Sequence, residues 1–313
     1  MDFLPEKNSK AKSQSGQALL VILLAMSVIL TVVLSLVSRS ITDVTITTQD
    51  DDALRAITAA EAGVEKAIIT GVPDSSPVTE TFSNEASYEY VVTQEAQTDK
   101  EFDYPVDLFS GETATFWLVT QDENGDLICD ATHPCTSGGT IRVCWDRTDD
   151  TVQEKDAAVE ISLYHDTSRN SLGSSPNFSD VDVERYAIDP QNDSRIGNFS
   201  NDPADFDNPC SVDGKQRAFS KLIDLGALGT TLGCSAAQGC FLMVRVKPLA
   251  TDEPTPIGIV YSGGTGSLPA QGVKISSTGT SGDATRQLEV LRLWPSFPVV
   301  FDSSIFSNEA IIK

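Results

Sequence analysis

The sequence predicts an α+β protein: one long N-terminal helix, membrane-inserted over its first half, packs its second half on a mainly antiparallel β head. Residues 18–37 are twenty consecutive uncharged, mostly apolar positions, and residues 53–69 repeat apolar side chains at helical spacing. From residue 86 onward, runs rich in β-branched and aromatic residues alternate with clusters of Gly, Pro, Asn and Asp. With 313 residues, 40% of them hydrophobic, the chain has material for a sizeable core and is not compositionally disordered. Its formal charge of −23 repels nucleic acid and anionic headgroups, which excludes nucleic acid as a partner of the head.

The chain opens with a polar leader, residues 1–16, whose Lys7, Lys10 and Lys12 precede the apolar run. Positive charge on that side keeps the N-terminus in the cytoplasm and sends the head outward. Residues 17–38 form the transmembrane helix, since twenty residues at 1.5 Å each span about 30 Å, the hydrocarbon thickness of a bilayer. Membrane lipid is therefore a partner. A secretory signal has a shorter apolar run followed by a small-residue cleavage site. Here the run is longer, and the small residue, Gly16, precedes it.

Residues 39–70 continue the helix. Leu54, Ile57, Ala60, Val64 and Ile68 recur on one face, which is expected to press on the head. Asp51 and Arg55 are spaced for an i,i+4 pair, and Gly71 and Pro73 supply the stop. Between the two halves, residues 41–48 hold seven β-branched residues in eight. Each costs a few tenths of a kcal/mol in a helix, about 0.3–0.7 relative to Ala. This stretch is the expected weak point of the rod.

The basic leader, Gly16, the following QALLVILLAM and the later AITAAEAGVEKAI resemble the N-terminal segment of type IV pilins and type II secretion pseudopilins, closest to PilX-type minor pilins. The resemblance covers about residues 7–69. It implies a pilin-like fold and cleavage by prepilin peptidase between Gly16 and Gln17, with Gln17 as an N-methylated terminus. It also implies a filament core built from Leu19, Leu20, Val21, Leu23, Leu24, Ile29 and Leu30. The implied partners are other pilin or pseudopilin subunits, an inner-membrane assembly platform and the peptidase. The family usually carries a glutamate five residues into the mature chain, where this sequence has Val21. An amine in lipid without that carboxylate is costly, which favours a priming or capping subunit over a major one.

Residues 71–313 form the secreted head. Strands are expected at 86–93, 113–120, 139–145, 157–164, 240–247, 256–262 and 286–293, with a hairpin turn at 122–126. Residues 166–218, dominated by Ser, Asn, Asp, Gly and Pro, read as a long polar excursion with one short strand at 185–188, or as a linker between two β subdomains. Trp294, Phe297 and Phe301 are expected to pack into the head.

Cys129, Cys135, Cys144, Cys210, Cys234 and Cys240 all lie beyond the membrane run, as disulfides in an oxidising space require. Sequence does not choose among the connectivities. The close pairs Cys129/Cys135 and Cys234/Cys240 are the guess, leaving Cys144 for Cys210. No C-x-x-C occurs, and His133 and His165 fit no zinc spacing. Asp122, Asn124 and Asp126 resemble the start of a Ca²⁺ loop, without the bidentate glutamate that completes one. No G-x-S-x-G, H-E-x-x-H or P-loop appears, and no cofactor or catalytic constellation is expected. Three readings compete: a pilus or pseudopilus subunit acting by assembly, an unprocessed single-pass anchor displaying a β adhesin, and a tethered hydrolase with no supporting residues. In each the N-terminus is cytoplasmic and the head external.

Overall fold

The computed structural model describes residues 15–70, 76–95 and 100–298, apart from 123, 131–132, 134, 137, 149–156, 174, 191–208, 234–238 and 265–266. The leader up to residue 14, Cys234 and Phe301 lie outside the described residues. Helix α1 (Ser15–Thr70) runs unbroken for 56 residues, about 84 Å at the helical rise. Its β-branched middle is helical too. Thr42, Thr45, Thr47 and Thr48 each donate their hydroxyl to the carbonyl four residues back, at 2.9–3.0 Å. That bonding leaves no unsatisfied side-chain donor in the stretch.

The head follows as β1 (Val78–Thr81), β2 (Ser87–Glu95), β3 (Glu101–Asp103), β4 (Ala114–Trp117), β5 (Thr120–Gln121), β6 (Leu127–Ile128), β7 (Thr140–Arg147), β8 (Ala158–Asp166), β9 (Val181–Ile188), β10 (Cys210–Val212), β11 (Lys215–Asp224), α2 (Leu225–Leu232), β12 (Phe241–Leu249), β13 (Ile257–Ser262), β14 (Gly272–Ser281) and β15 (Ala284–Leu293). Every pairing among these strands is antiparallel. A first sheet has the order β1-β2-β14-β15, a second β10-β11-β7-β13-β3 and a third β4-β12-β8-β9, while β5 and β6 form a small hairpin.

The second and third sheets share the main core. Ile141, Val143, Trp145, Ile257 and Ile259 from one meet Phe116, Ile161, Leu163, Val244 and Val246 from the other. Full burial of each stabilises by about 1.5–3 kcal/mol before entropy is counted. The first sheet has a separate core beneath α1, where Ala59, Val64 and Ala67 meet Tyr88, Tyr90, Val92, Val273 and Ile275. Gln271 stitches the two cores together. Its side chain accepts from the Trp117 N–H at 2.8 Å and donates to the Trp117 carbonyl at 2.9 Å, as a further strand residue would. Trp294 touches the first core and also packs beside Trp117 and Met243, and its indole donates to the Ala270 carbonyl at 2.8 Å.

Several elements differ from expectation. The run 113–120 is split into β4 and β5, because Leu118 turns its N–H to the Leu242 carbonyl beyond the paired register. The polar excursion 166–218 holds β9, β10 and the start of β11, more strand than the one short segment expected at 185–188. Strands β1 and β14 were not foreseen, nor was α2, whose Asp224 N-cap accepts from the Ala227 N–H and whose Gly233 closes it at φ 75°. Trp294 and Phe297 do pack on the head.

Candidate functional site

Among the described residues, the apolar half of α1 touches nothing else. From Leu19 to Val37 its large side chains are half to two-thirds exposed, Leu19 at 63% and Leu36 at 65%. The most apolar stretch is wholly uncovered by the protein, with a mean hydropathy of 3.0. So large an apolar surface needs a cover other than water. Leu19, Leu20, Val21, Leu23, Leu24, Ile29 and Leu30 lie on all sides of this rod, and none meets the head. Two hydroxyls within it bond back onto the helix: Ser27 donates to the Leu24 carbonyl and Thr31 to that of Val28, both at 2.8 Å. A helix that pairs its backbone groups along its own length is the form that tolerates lipid. By length and composition it is able to cross a membrane once. Gly16 and Gln17 lie in the first turn of α1.

The second half is bound to the first sheet, but only in part by the stripe expected, of which Ala60 and Val64 are buried. Ala56, Ala59, Ala60, Gly63, Val64 and Ala67 are buried, whereas Leu54 is 64% and Ile68 41% exposed. Relative to Leu54–Ile57–Ala60–Val64–Ile68, the covered face is turned by about one residue position, about 100°. The cause is close approach. A Cβ on Gly279 of β14 would overlap the Ala56 carbonyl oxygen and the Ala60 nitrogen, and one on Gly63 would overlap the Ser277 hydroxyl and press on Tyr88. Small residues on both partners let backbones meet where larger ones would hold them apart. At the upper edge of this contact, Ser281 donates to Asp52 at 3.4 Å. No ion pair joins Asp51 to Arg55 among the described residues.

The remaining sequence candidates do not converge with the helix or with one another. Asp122 turns its carboxylate onto its own hairpin, accepting the N–H groups of Asn124 at 2.9 Å and Asp126 at 2.8 Å. Desolvation raises its pKa, but those N–H donors outweigh it and hold the carboxyl below the usual range. Oxygens so engaged cap a turn, and no group of three His, Cys, Asp or Glu among the described residues is placed to hold a metal. His133 pairs with Asp130 at 2.9 Å on an exposed loop, closed by the Cys129–Cys135 disulfide. His165 is buried near the end of β8, with no hydrogen-bond partner for Nδ1 among the described residues. A second disulfide joins Cys144 to Cys210, and Cys240 is disulfide-bonded to a residue outside those described. These include two of the three pairs guessed from spacing.

No family model, curated protein or solved structure matches the chain.

Proposed function

We propose that the chain is a structural subunit, a minor pilin or pseudopilin, of a type IV pilus-like filament or secretion apparatus, and that it acts by assembly and not by catalysis. The observation that carries this reading is a single uninterrupted helix divided into two surfaces: residues 52–67 docked on a β sheet, residues 18–37 uncovered. A helix that belongs to the head at one end and to nothing in the chain at the other is built to carry the head while its apolar half changes neighbours. Lipid covers that half first, and the helices of other subunits cover it after assembly. The segment leaves no water-exposed state in either, so association draws on close packing more than on the hydrophobic effect.

The residues around Gly16 and the stretch AITAAEAGVEKAI supply the resemblance that names the class. Cleavage follows Gly16, and the lysines before it keep that end in the cytoplasm. With Val21 in place of the family's glutamate, no carboxylate within residues 18–37 pairs with a neighbouring amine. That suits a subunit at the tip or start of a filament, where one of the two helical neighbours is missing.

The deciding measurement is the mature N-terminus, by intact-mass and terminal-peptide mass spectrometry on membrane and sheared-surface fractions. A chain starting at Gln17, methylated, is the expected result. A chain that keeps residues 1–16 in the membrane overturns the filament reading and leaves a single-pass anchor displaying the head.

A further inference from the structure

The third sheet carries a groove on the face turned away from the shared core. Its floor is one cross-strand row: Trp117 of β4 stands opposite Met243 of β12, Met243 opposite Tyr164 of β8, and Tyr164 opposite Val183 of β9. A bulge between Phe241 and Met243 sends Phe241 into the shared core and leaves Leu242 beside Met243 on the groove side. Leu127, Phe178 and Pro295 rise as walls, and Phe297 closes one side with its ring edge-on to Tyr164, centroids 5.3 Å apart. The enclosed volume is about 880 Å³, within the range of small-ligand sites.

One step along the strands, about 7 Å away, the chemistry changes. The next row runs Thr115–Arg245–Ser162–Arg185, and the one after it pairs Lys247 with Glu160. Arg185, Arg245 and Lys247 thus share a face with the carboxylate Glu160, in a chain whose formal charge is −23. Arg185 lines the groove and reaches Glu160 at 3.3 Å. Arg245 is buried beneath the Phe297 ring, 3.9 Å from its centroid, and donates to the Phe297 carbonyl at 2.9 Å, which fixes that wall. Asp182 borders the groove, but strand alternation sends its side chain to the opposite face with Tyr186 and Ile188. On the floor, the Trp117 indole N–H makes no hydrogen bond among the described residues, although Trp117 is only 8% exposed. The groove is also lined by Gln121 and by the Tyr164 hydroxyl, which can accept as well as donate, while the indole and the Arg185 guanidinium are donors only.

We infer that this groove binds a soluble small molecule with an aromatic or acyl body and one anionic group. The apolar body lies across Trp117, Met243, Tyr164 and Val183, and the anion meets Arg185, which presents a planar fork to a carboxylate, sulfonate or phosphate. The site does not depend on how the N-terminal helix is used.

The test uses the full chain in nanodiscs of zwitterionic lipid, with signal from empty nanodiscs subtracted. The probes are 8-anilino-1-naphthalenesulfonate and its uncharged counterpart N-phenyl-1-naphthylamine, read by fluorescence. The sulfonate is expected to bind saturably, one per chain. Arg185→Gln should weaken the sulfonate about tenfold while leaving the uncharged probe unchanged, and Phe178→Ala should weaken both. The Phe178 residue is 58% and the Arg185 side chain 46% exposed, so neither substitution threatens the fold. Absence of saturable sulfonate binding overturns the inference. So does sulfonate affinity that either substitution leaves unchanged.

Discussion

Glycine and alanine decide where the helix meets the head. Gly63 on α1 and Gly279 on β14 both sit where a Cβ would overlap the opposing element. Replacing either with Val should destabilise the dock by about 1–3 kcal/mol through overpacking, measured by urea unfolding together with protease sensitivity of residues 53–69. Leu54→Ser, which removes the first residue of the expected stripe, should stay within about 0.5 kcal/mol because Leu54 faces outward. A second residue-scale case is Asp166, fully buried at the end of β8. It accepts the N–H groups of Ser168, Arg169 and Ser171 at 2.8–2.9 Å, and the Ser168 hydroxyl at 2.7 Å. Desolvation pushes its pKa up, yet the hydroxyl and N–H donors prevail and lower it. A lowered folded-state pKa means stability present above the unfolded value of about 3.9 and lost as the pH falls through the folded value. Asp166→Asn should therefore flatten the fall of the unfolding midpoint below about pH 4, read by circular dichroism across that window. The turn at Asp122 was legible because Asp, Asn and Gly stand together. The small-residue dock was not, because a stripe read from large apolar side chains overlooks contacts made by lacking them.

At the scale of elements, β-branched and aromatic runs such as ASYEYVVT and GTIRVCW became β2 and β7 almost in place. Strand β14 escaped because its buried positions are Gly272, Val273, Ile275, Ser277, Gly279 and Ser281, four of the six being Gly or Ser and not large apolar residues. Strand β11 escaped for a different reason. Its alternation is broken by charge at Lys215, Arg217 and Lys221, yet Arg217 is buried against Asp103 of β3 at 2.5 Å, a partner more than a hundred residues away. The Cys144–Cys210 bond spans 66 residues and ties β7 to β10, the edge strand of the same sheet. Replacing both cysteines with Ser should cost about 2–4 kcal/mol, chiefly by freeing the unfolded chain, checked by unfolding with the other bonds kept oxidised. Within α1, residues 41–48 are helical without tertiary support, whereas 53–69 are held by the first sheet. Amide exchange in the isolated subunit should be faster across 41–48 than across 56–67, and equal protection in the two segments would contradict the assignment of the middle as the weak point.

The whole molecule is a head that owns only part of its longest element. The contacts of α1 with the head are made by residues from Asp52 to Ala67, and none by residues 18–37. The shared core between the second and third sheets involves no residue of α1. Removing residues 1–49 therefore deletes the uncovered apolar surface and leaves both cores, the Gln271–Trp117 stitch and the disulfides in place. The truncated chain retains an excess of acidic residues, which opposes aggregation once the apolar rod is gone. It should be monomeric and soluble without detergent, with a β-rich far-ultraviolet spectrum and an unfolding midpoint close to that of the full head, measured by sedimentation and thermal melting. Cutting further, to residue 70, exposes Tyr88, Tyr90, Val92, Val273 and Ile275 on the first sheet and should produce aggregation. If the shorter cut already aggregates, the apolar half of the helix supports the head's own fold, and a division between a carried domain and a changeable anchor no longer holds.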